Sequence, residues 1–189
     1  MRWALVPLLW IAVAIAAAPA MADAPAGTSL YNLDSKWTGT DGKTVSLAEA
    51  LGGKKTVLAM FYSGCSSLCP LIVERMKAIE EALPERERPR VRFVLISLDP
   101  IFDTPERLRA FAASHGVDAS RWGLYRGSER GVRQIAMALG ISYRPDGSGG
   151  FDHSNLISLI DAAGILRHQQ SGSDAAVEPI IDQLAALGP

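Results

Sequence analysis

The two cysteines of the chain, Cys65 and Cys69, lie within one five-residue stretch, just behind the apolar run Thr56-Val57-Leu58-Ala59-Met60-Phe61-Tyr62. A run of strand length without polar alternation belongs to a strand buried on both faces, inside a parallel or mixed sheet. Pro70 follows the second cysteine and suits the first position of a helix. Ile72, Met76, Ile79 and Leu83 then recur at helical spacing until Pro84 stops the pattern. The cysteines therefore sit at a strand-to-helix junction, and two of them are too few for a disulfide scaffold or a closed cysteine-rich zinc site.

The rest of the chain supports one domain around that junction. Thr40-Asp41-Gly42-Lys43 is an Asp-Gly turn inside Leu30 to Leu47 and predicts an N-terminal hairpin. Val91 to Leu98 is a second buried strand. Thr104-Pro105 opens a helix as N-cap and first residue, with Leu108, Phe111 and Ala112 on its inner face and His115-Gly116 at its end. Leu124-Tyr125 is a weak third strand, followed by a helix carrying Val132, Ile135, Ala136 and Leu139. Pro145 to Gly150 reads as a flexible loop. Leu156 to Ile160 and Ile165 to His168 flank a turn at Asp161 to Gly164, and Val177, Ile180, Ile181 and Leu184 mark a terminal helix. Met60, Met76 and Met137 fall within apolar patterns and are expected in the core. Strands alternate with helices and finish in an antiparallel hairpin. The expected fold class is α/β, thioredoxin-like: a central mixed sheet flanked by helices, with an N-terminal β-hairpin extension and the cysteine loop at a strand's carboxyl end.

The N-terminus bears on the compartment. Arg2 precedes an apolar stretch from Ala4 to Ala18, and Ala20-Met21-Ala22 fits a small-x-small cleavage pattern. Residues 1–22 read as an export signal, 23–29 as a flexible leader and 30–187 as the domain. The alternative for the first segment is a retained membrane anchor. Either way the domain lies outside the cytoplasm, where a cysteine pair is oxidised unless a reductant or a metal intervenes. With 19 Lys+Arg against 20 Asp+Glu and no basic block, the charge pattern gives no support to nucleic-acid binding.

Four residues of separation let the two sulfurs meet on one side of the first helical turn. There, Cys69, just ahead of the helix, would gain a stabilised thiolate from free N–H groups and the dipole. The pair can close as a disulfide or hold one soft metal ion. A permanent, inert disulfide is the structural alternative, but so short a loop gives little chain-entropy gain. Cys-x-x-x-Cys also leaves more room between sulfurs than the Cys-x-x-Cys of ordinary thiol-disulfide oxidoreductases. Two thiolates favour Cu(I), which accepts low coordination numbers. A peroxidase is disfavoured, because its nucleophile needs a Thr-x-x-Cys setting and position 62 is Tyr.

Three separated motifs make the chain resemble the Sco/SenC family of thioredoxin-like copper chaperones. They are Cys65 to Pro70 after a strand, Asp99-Pro100-Ile101-Phe102-Asp103-Thr104-Pro105 at the end of the next, and Asp152-His153-Ser154 before the late hairpin. The resemblance covers about residues 30 to 187. It implies copper, as Cu(I) and/or Cu(II), held by Cys65, Cys69 and His153, and delivery to a respiratory copper enzyme such as cytochrome c oxidase. Ser66 stands where the family commonly has proline, which bears on loop stiffness and removes no ligand. Asp99 and Asp103, after the strand expected to neighbour the cysteine strand, are candidates for supporting the site, Asp99 ahead of Asp103. His115 is explained by its helix end, and His168 is expected at the surface. The expected partners are a copper-accepting respiratory subunit and an upstream thiol reductase. The expected location is the periplasm, with membrane contact only if the first segment is retained. The competing function is a thiol-disulfide reductase that keeps the cysteines of a copper-site protein reduced.

Overall fold

The computed structural model describes residues 29–65, 67–147, 149–172 and 176–188. The export signal, nearly all of the leader and Ser66 lie outside the described residues. In chain order the elements are β1 (Lys36–Gly39), β2 (Thr44–Ser46), α1 (Leu47–Leu51), β3 (Lys55–Phe61), α2 (Leu68–Ala82), β4 (Val91–Ser97), α3 (Pro105–Ser114) and β5 (Trp122–Arg126). They continue as α4 (Glu129–Ala138), β6 (Tyr143–Pro145), β7 (Phe151–His153), β8 (Leu156–Ile160), β9 (Leu166–Ser171) and α5 (Glu178–Ala186).

Among the described residues, seven strands form one sheet in the order β2-β1-β5-β4-β3-β8-β9, and β6 and β7 form a separate pair. β3 is parallel to β4 and antiparallel to β8, and β4 is parallel to β5. This is the expected mixed sheet. Every residue of β3 is buried, as its uninterrupted apolar run requires of a central strand. Alternate residues serve opposite layers. Val57, Ala59 and Phe61 join Phe93 and Leu95 beneath α2, α3 and α5. Leu58 and Met60 join Val94 and Ile96 against α1, α4 and Trp37.

The hairpin forms at the Asp-Gly turn, with Gly42 at φ 79°. The Thr104 side chain caps α3 by accepting the Arg107 N–H at 3.4 Å, with Pro105 as the first residue.

One element is new and three expectations are corrected. A short helix, α1, follows the hairpin, closed by a capping box between Ser46 and Glu49. The Gly-rich loop is the turn of a hairpin, β6–β7, whose strands are three residues each. Met137 is 80% exposed: Val132, Ile135 and Ala136 form the inner face of α4, and Met137 falls on the outer one. His168 is half-buried in β9, its Nε2 enclosed without a hydrogen-bond partner.

The chain enters the fold at the end of the sheet remote from the cysteines. Leu30 N–H donates to Gly164 O at 2.8 Å and the Ser29 hydroxyl to Ala163 O at 2.5 Å, both in the β8–β9 turn. The last helix finishes at the same end, where buried Lys55 donates to the carbonyls of Leu184 and Gly188.

Candidate functional site

The carboxyl ends of β3 and β4 and the start of β8 share one edge of the sheet. The candidate site residues come from the segments that leave or enter there. Past Phe61 the chain turns at Ser63-Gly64, with Cys65 N–H donating to Tyr62 O at 3.2 Å, and then enters α2. The helix begins at Leu68, so Pro70 is its third residue and Cys69 lies inside it.

This reverses the expected roles of the two thiols. Cys65, not Cys69, faces the free N–H groups of the helix start: Cys69 N–H points at the Cys65 sulfur at 3.3 Å. Burial alone would raise the Cys65 thiol. The N–H groups of Cys69, Ser67 and Leu68 outweigh it and hold the thiol below its ordinary value. Cys69 is fully enclosed among Ile72, Val73 and the sheet. Burial pushes its thiol far up, the Tyr62 N–H opposes that, and the Cys65 sulfur and the Asp103 carboxylate push it further up. Both are free thiols.

Asp103 is buried and joins the two loops. Its carboxylate accepts the Ser63 N–H at 3.2 and 3.1 Å, the Ser63 hydroxyl, and the Ser97 hydroxyl at 2.5 Å. It thus ties the segment just before Cys65 to the end of β4. Asp99 acts within its own turn, accepting the Ile101 and Phe102 N–H groups at 3.3 and 3.0 Å. Of the two carboxylates, Asp103 is the one in contact with the cysteine loop.

His153 ends β7 and is half-buried. Its Nδ1 lies 3.1 Å from the Ser154 carbonyl. A carbonyl only accepts, so Nδ1 carries the proton and Nε2 presents its lone pair. That Nε2 is buried and has no partner. Burial holds the imidazole below its ordinary value, against the opposing Ser154 contact. A neutral ring with one nitrogen fixed by a carbonyl and the other open is the form that ligates metals. The donor set therefore fits a soft or borderline ion. In this arrangement the three donors do not converge: among the described residues no group of three His, Cys, Asp or Glu side chains stands close enough to hold a metal. The neighbouring Asp152 is turned away, paired with Arg144 at 3.2 Å across the β6–β7 hairpin.

In the sequence Tyr62 ends the apolar run of the central strand and argues against a peroxidase, and neither reading gives it a place in the site. In the fold it lies beside Cys65 and meets the His153 ring edge-on at 6.1 Å. An aromatic residue at the mouth of the central strand, three positions before the first cysteine, was the available signal. Leu68, Leu71, Ile101 and Phe102 add exposed apolar surface on the two loop–helix junctions.

A dithiol at the carboxyl end of the central strand, held by a helix start in a mixed sheet layered with helices, defines a thioredoxin-like protein. More narrowly, the chain belongs to the SCO1/SenC family, whose model matches residues 25–187. It is 28% identical over 123 residues to a Stutzerimonas stutzeri protein named for copper binding, covering 63% of this chain and 59% of that one. Among solved structures it is similar to a SCO1/SenC family lipoprotein from Bacillus anthracis, with TM-score 0.73, 28% identity, and 85% and 96% of the two chains covered. Bradyrhizobium japonicum ScoI with copper bound gives TM-score 0.67 at 22% identity, covering 81% and 96%. BsSco, described as having a disulfide switch and as a member of the Sco family of cytochrome c oxidase assembly proteins, gives 0.71 at 22%, covering 87% and 96%.

Proposed function

We propose that the chain is an exported copper chaperone. Its Cys65 and Cys69 hold copper as cargo, His153 completes the donor set, and the copper passes to a respiratory copper enzyme such as cytochrome c oxidase. The observation that carries this reading is the presence, at the same end of the sheet, of two free thiols and of an imidazole whose buried Nε2 lacks a partner. Leaving such an acceptor enclosed and unmade is costly unless a ligand takes it up. Family membership supports the reading, as do the copper-bound relative and the relative assigned to oxidase assembly.

The residues divide the work by softness. Two thiolates suffice for Cu(I); Cu(II) prefers more donors and a harder nitrogen, which His153 supplies. Cys65 gives up its proton readily. Cys69 holds its proton far more tightly until a cation replaces it, so loading releases protons and weakens as pH falls. Asp103 holds the loop in register, and Asp99 shapes the turn beside it. A disulfide between the cysteines must first gain two electrons and two protons from a dithiol reductant, which implies an upstream thiol reductase. The N-terminal segment supports a periplasmic location, with membrane contact if that segment is retained.

The thiol asymmetry favours one second reading, a thiol-disulfide reductase. Cys65 thiolate would attack a target disulfide, forming a mixed disulfide and releasing one target thiolate. Cys69 would lose its proton and attack the Cys65 sulfur, freeing the second target thiol and leaving this pair oxidised.

Anaerobic titration separates the two. The reduced protein is expected to bind one copper per chain, the oxidised protein none tightly, and insulin reduction to stay near background. Tight copper binding after disulfide formation refutes the ligand assignment. Rapid insulin reduction without copper binding establishes the second reading.

A further inference from the structure

Three helices finish at the pole opposite the dithiol: α1 at Leu51, α2 at Ala82 and α5 at Ala186. Four cations gather around their ends and the starts of β3 and β4. Lys54 donates to the Pro89 carbonyl at 2.9 Å, and Lys55 to the carbonyls of Leu184 and Gly188. Arg88 donates to those of Leu83 and Glu81 at 3.0 and 2.9 Å. Arg92 donates to the Ala50 carbonyl at 2.7 Å and the Tyr125 hydroxyl at 3.1 Å. Among the described residues none of the four is paired with a carboxylate, whereas Arg86 stands near Glu87 and Arg121 pairs with Glu80 at 2.6 Å.

A cation at a helix end is ordinarily explained by capping. Here the charges do not balance. A helix end carries about half a negative charge, so three ends offset at most about one and a half of the four cations. Glu85, which shares a cleft with Lys54, Arg88 and Arg92, offsets one more. A surplus of about one and a half positive charges stays fixed at this pole, on a chain whose formal net charge is −1.

The cationic cleft measures about 370 Å³, and Val91 borders both it and an apolar groove of about 310 Å³. Leu83, Ile181 and Leu184 line the groove, with Lys55 and Arg86. The chain enters the fold at this same pole, through Ser29 and Leu30. A chain exported through its N-terminal segment therefore turns this pole toward the bilayer it has crossed.

We infer that this pole is a docking surface for an anionic phospholipid bilayer. Lipid phosphates meet the cationic cleft, and the groove beside it takes apolar lipid surface. The domain then lies on the membrane with its dithiol facing away. The inference rests on the export reading above only for the bilayer being at hand.

The test uses the form left after removal of residues 1–22, so that the apolar N-terminal segment adds nothing to binding. It should float with vesicles of mixed phosphatidylglycerol and phosphatidylcholine and stay behind with phosphatidylcholine alone. Salt at about 1 M, which cuts the screening length to about 3 Å, should weaken binding. Lys54→Gln should weaken it about fivefold, the effect of one cation near an anionic surface, and Lys54→Arg should restore it. Ile181→Asp, which sets a carboxylate in the groove, should lose at least as much. Arg107 lies over the Phe102 ring at 3.6 Å, beside Gly64 of the cysteine loop. Arg107→Gln should therefore bind like the parent. Iodoacetamide should label Cys65 equally fast with and without vesicles, and a parental rate in each variant shows that the domain is folded. No binding to anionic vesicles, or equal binding to neutral ones, overturns the inference. Equal loss in Arg107→Gln, or protection of Cys65 by vesicles, overturns the assignment to this pole. Parental binding by Ile181→Asp refutes the part given to the groove. Fractionation of expressing cells tests export separately: a cytoplasmic chain that still binds vesicles refutes the export reading and leaves the surface standing.

Discussion

Replacing Asp103 with asparagine changes one oxygen of a fully buried carboxylate into an NH2 group. The carboxylate accepts from three donors: the Ser63 N–H, the Ser63 hydroxyl and the Ser97 hydroxyl. The Ser97 oxygen already accepts the Asp99 N–H at 2.9 Å. Either orientation of the amide turns its NH2 toward one of the two serine hydroxyls, which must then accept, so that hydroxyl's own proton loses the carboxylate it donated to. A buried donor so stranded costs about 1–3 kcal/mol, and bonds to a charged acceptor are the stronger kind. Asp103→Asn should therefore lose about 2 kcal/mol of stability, or about 4–8 °C in Tm for a domain of this size. The assay is urea unfolding of the reduced protein at pH 7, with the slope expected to stay unchanged. Removing the offended hydroxyl should repair part of the damage, so Ser97→Ala combined with Asp103→Asn should fall short of additivity by about 1 kcal/mol. A loss below about 0.5 kcal/mol, or strict additivity of the two changes, refutes the claim that this carboxylate ties the cysteine loop to β4.

Iodoacetamide should label Cys65 well before Cys69 at neutral pH, with a rate that rises through a midpoint below that of an ordinary thiol, because N–H donors outweigh its burial. Peptide mass spectrometry distinguishes the two sites, and equal labelling would contradict the assigned asymmetry. His153 imposes a pH dependence of its own. Its folded value is depressed by burial below the ordinary value of about 6.5, so the unfolded chain takes up the proton first. Its contribution to stability is whole above about pH 6.5 and is lost as pH falls through the lower folded value. The urea midpoint of the metal-free parent relative to His153→Gln should fall across that window. A constant difference from pH 7.5 to 5 would count against a buried neutral imidazole.

What could be read from sequence followed the strength of the local signal. β3 and β4 were legible because their apolar runs match strands covered on both sides, and α3 because Thr104-Pro105 is a strong cap. α1 escaped because its five residues are too few to show a period, although Ser46 and Glu49 spell its capping box. The β6–β7 hairpin escaped because turn-forming Pro145, Gly147 and Gly150 dominate strands of three residues. Proline at the first helical position is a preference, and here Pro70 is third, which moved Cys69 into the helix and gave the helix-start N–H groups to Cys65. The part played by Asp103 depends on Ser63 and Ser97 meeting across two strands, and no spacing along the chain encodes that meeting.

The docking of Ser29 and Leu30 on the β8–β9 turn has a practical consequence. Whatever precedes Ser29 joins the domain at the pole opposite the dithiol, and α5 finishes at that same pole beside Lys55. A linker, an affinity handle or a lipid-bound leader attached there would point the sulfurs outward, toward an approaching protein. Immobilising the chain through either of these ends should therefore leave Cys65 as open to reagents as it is in free solution.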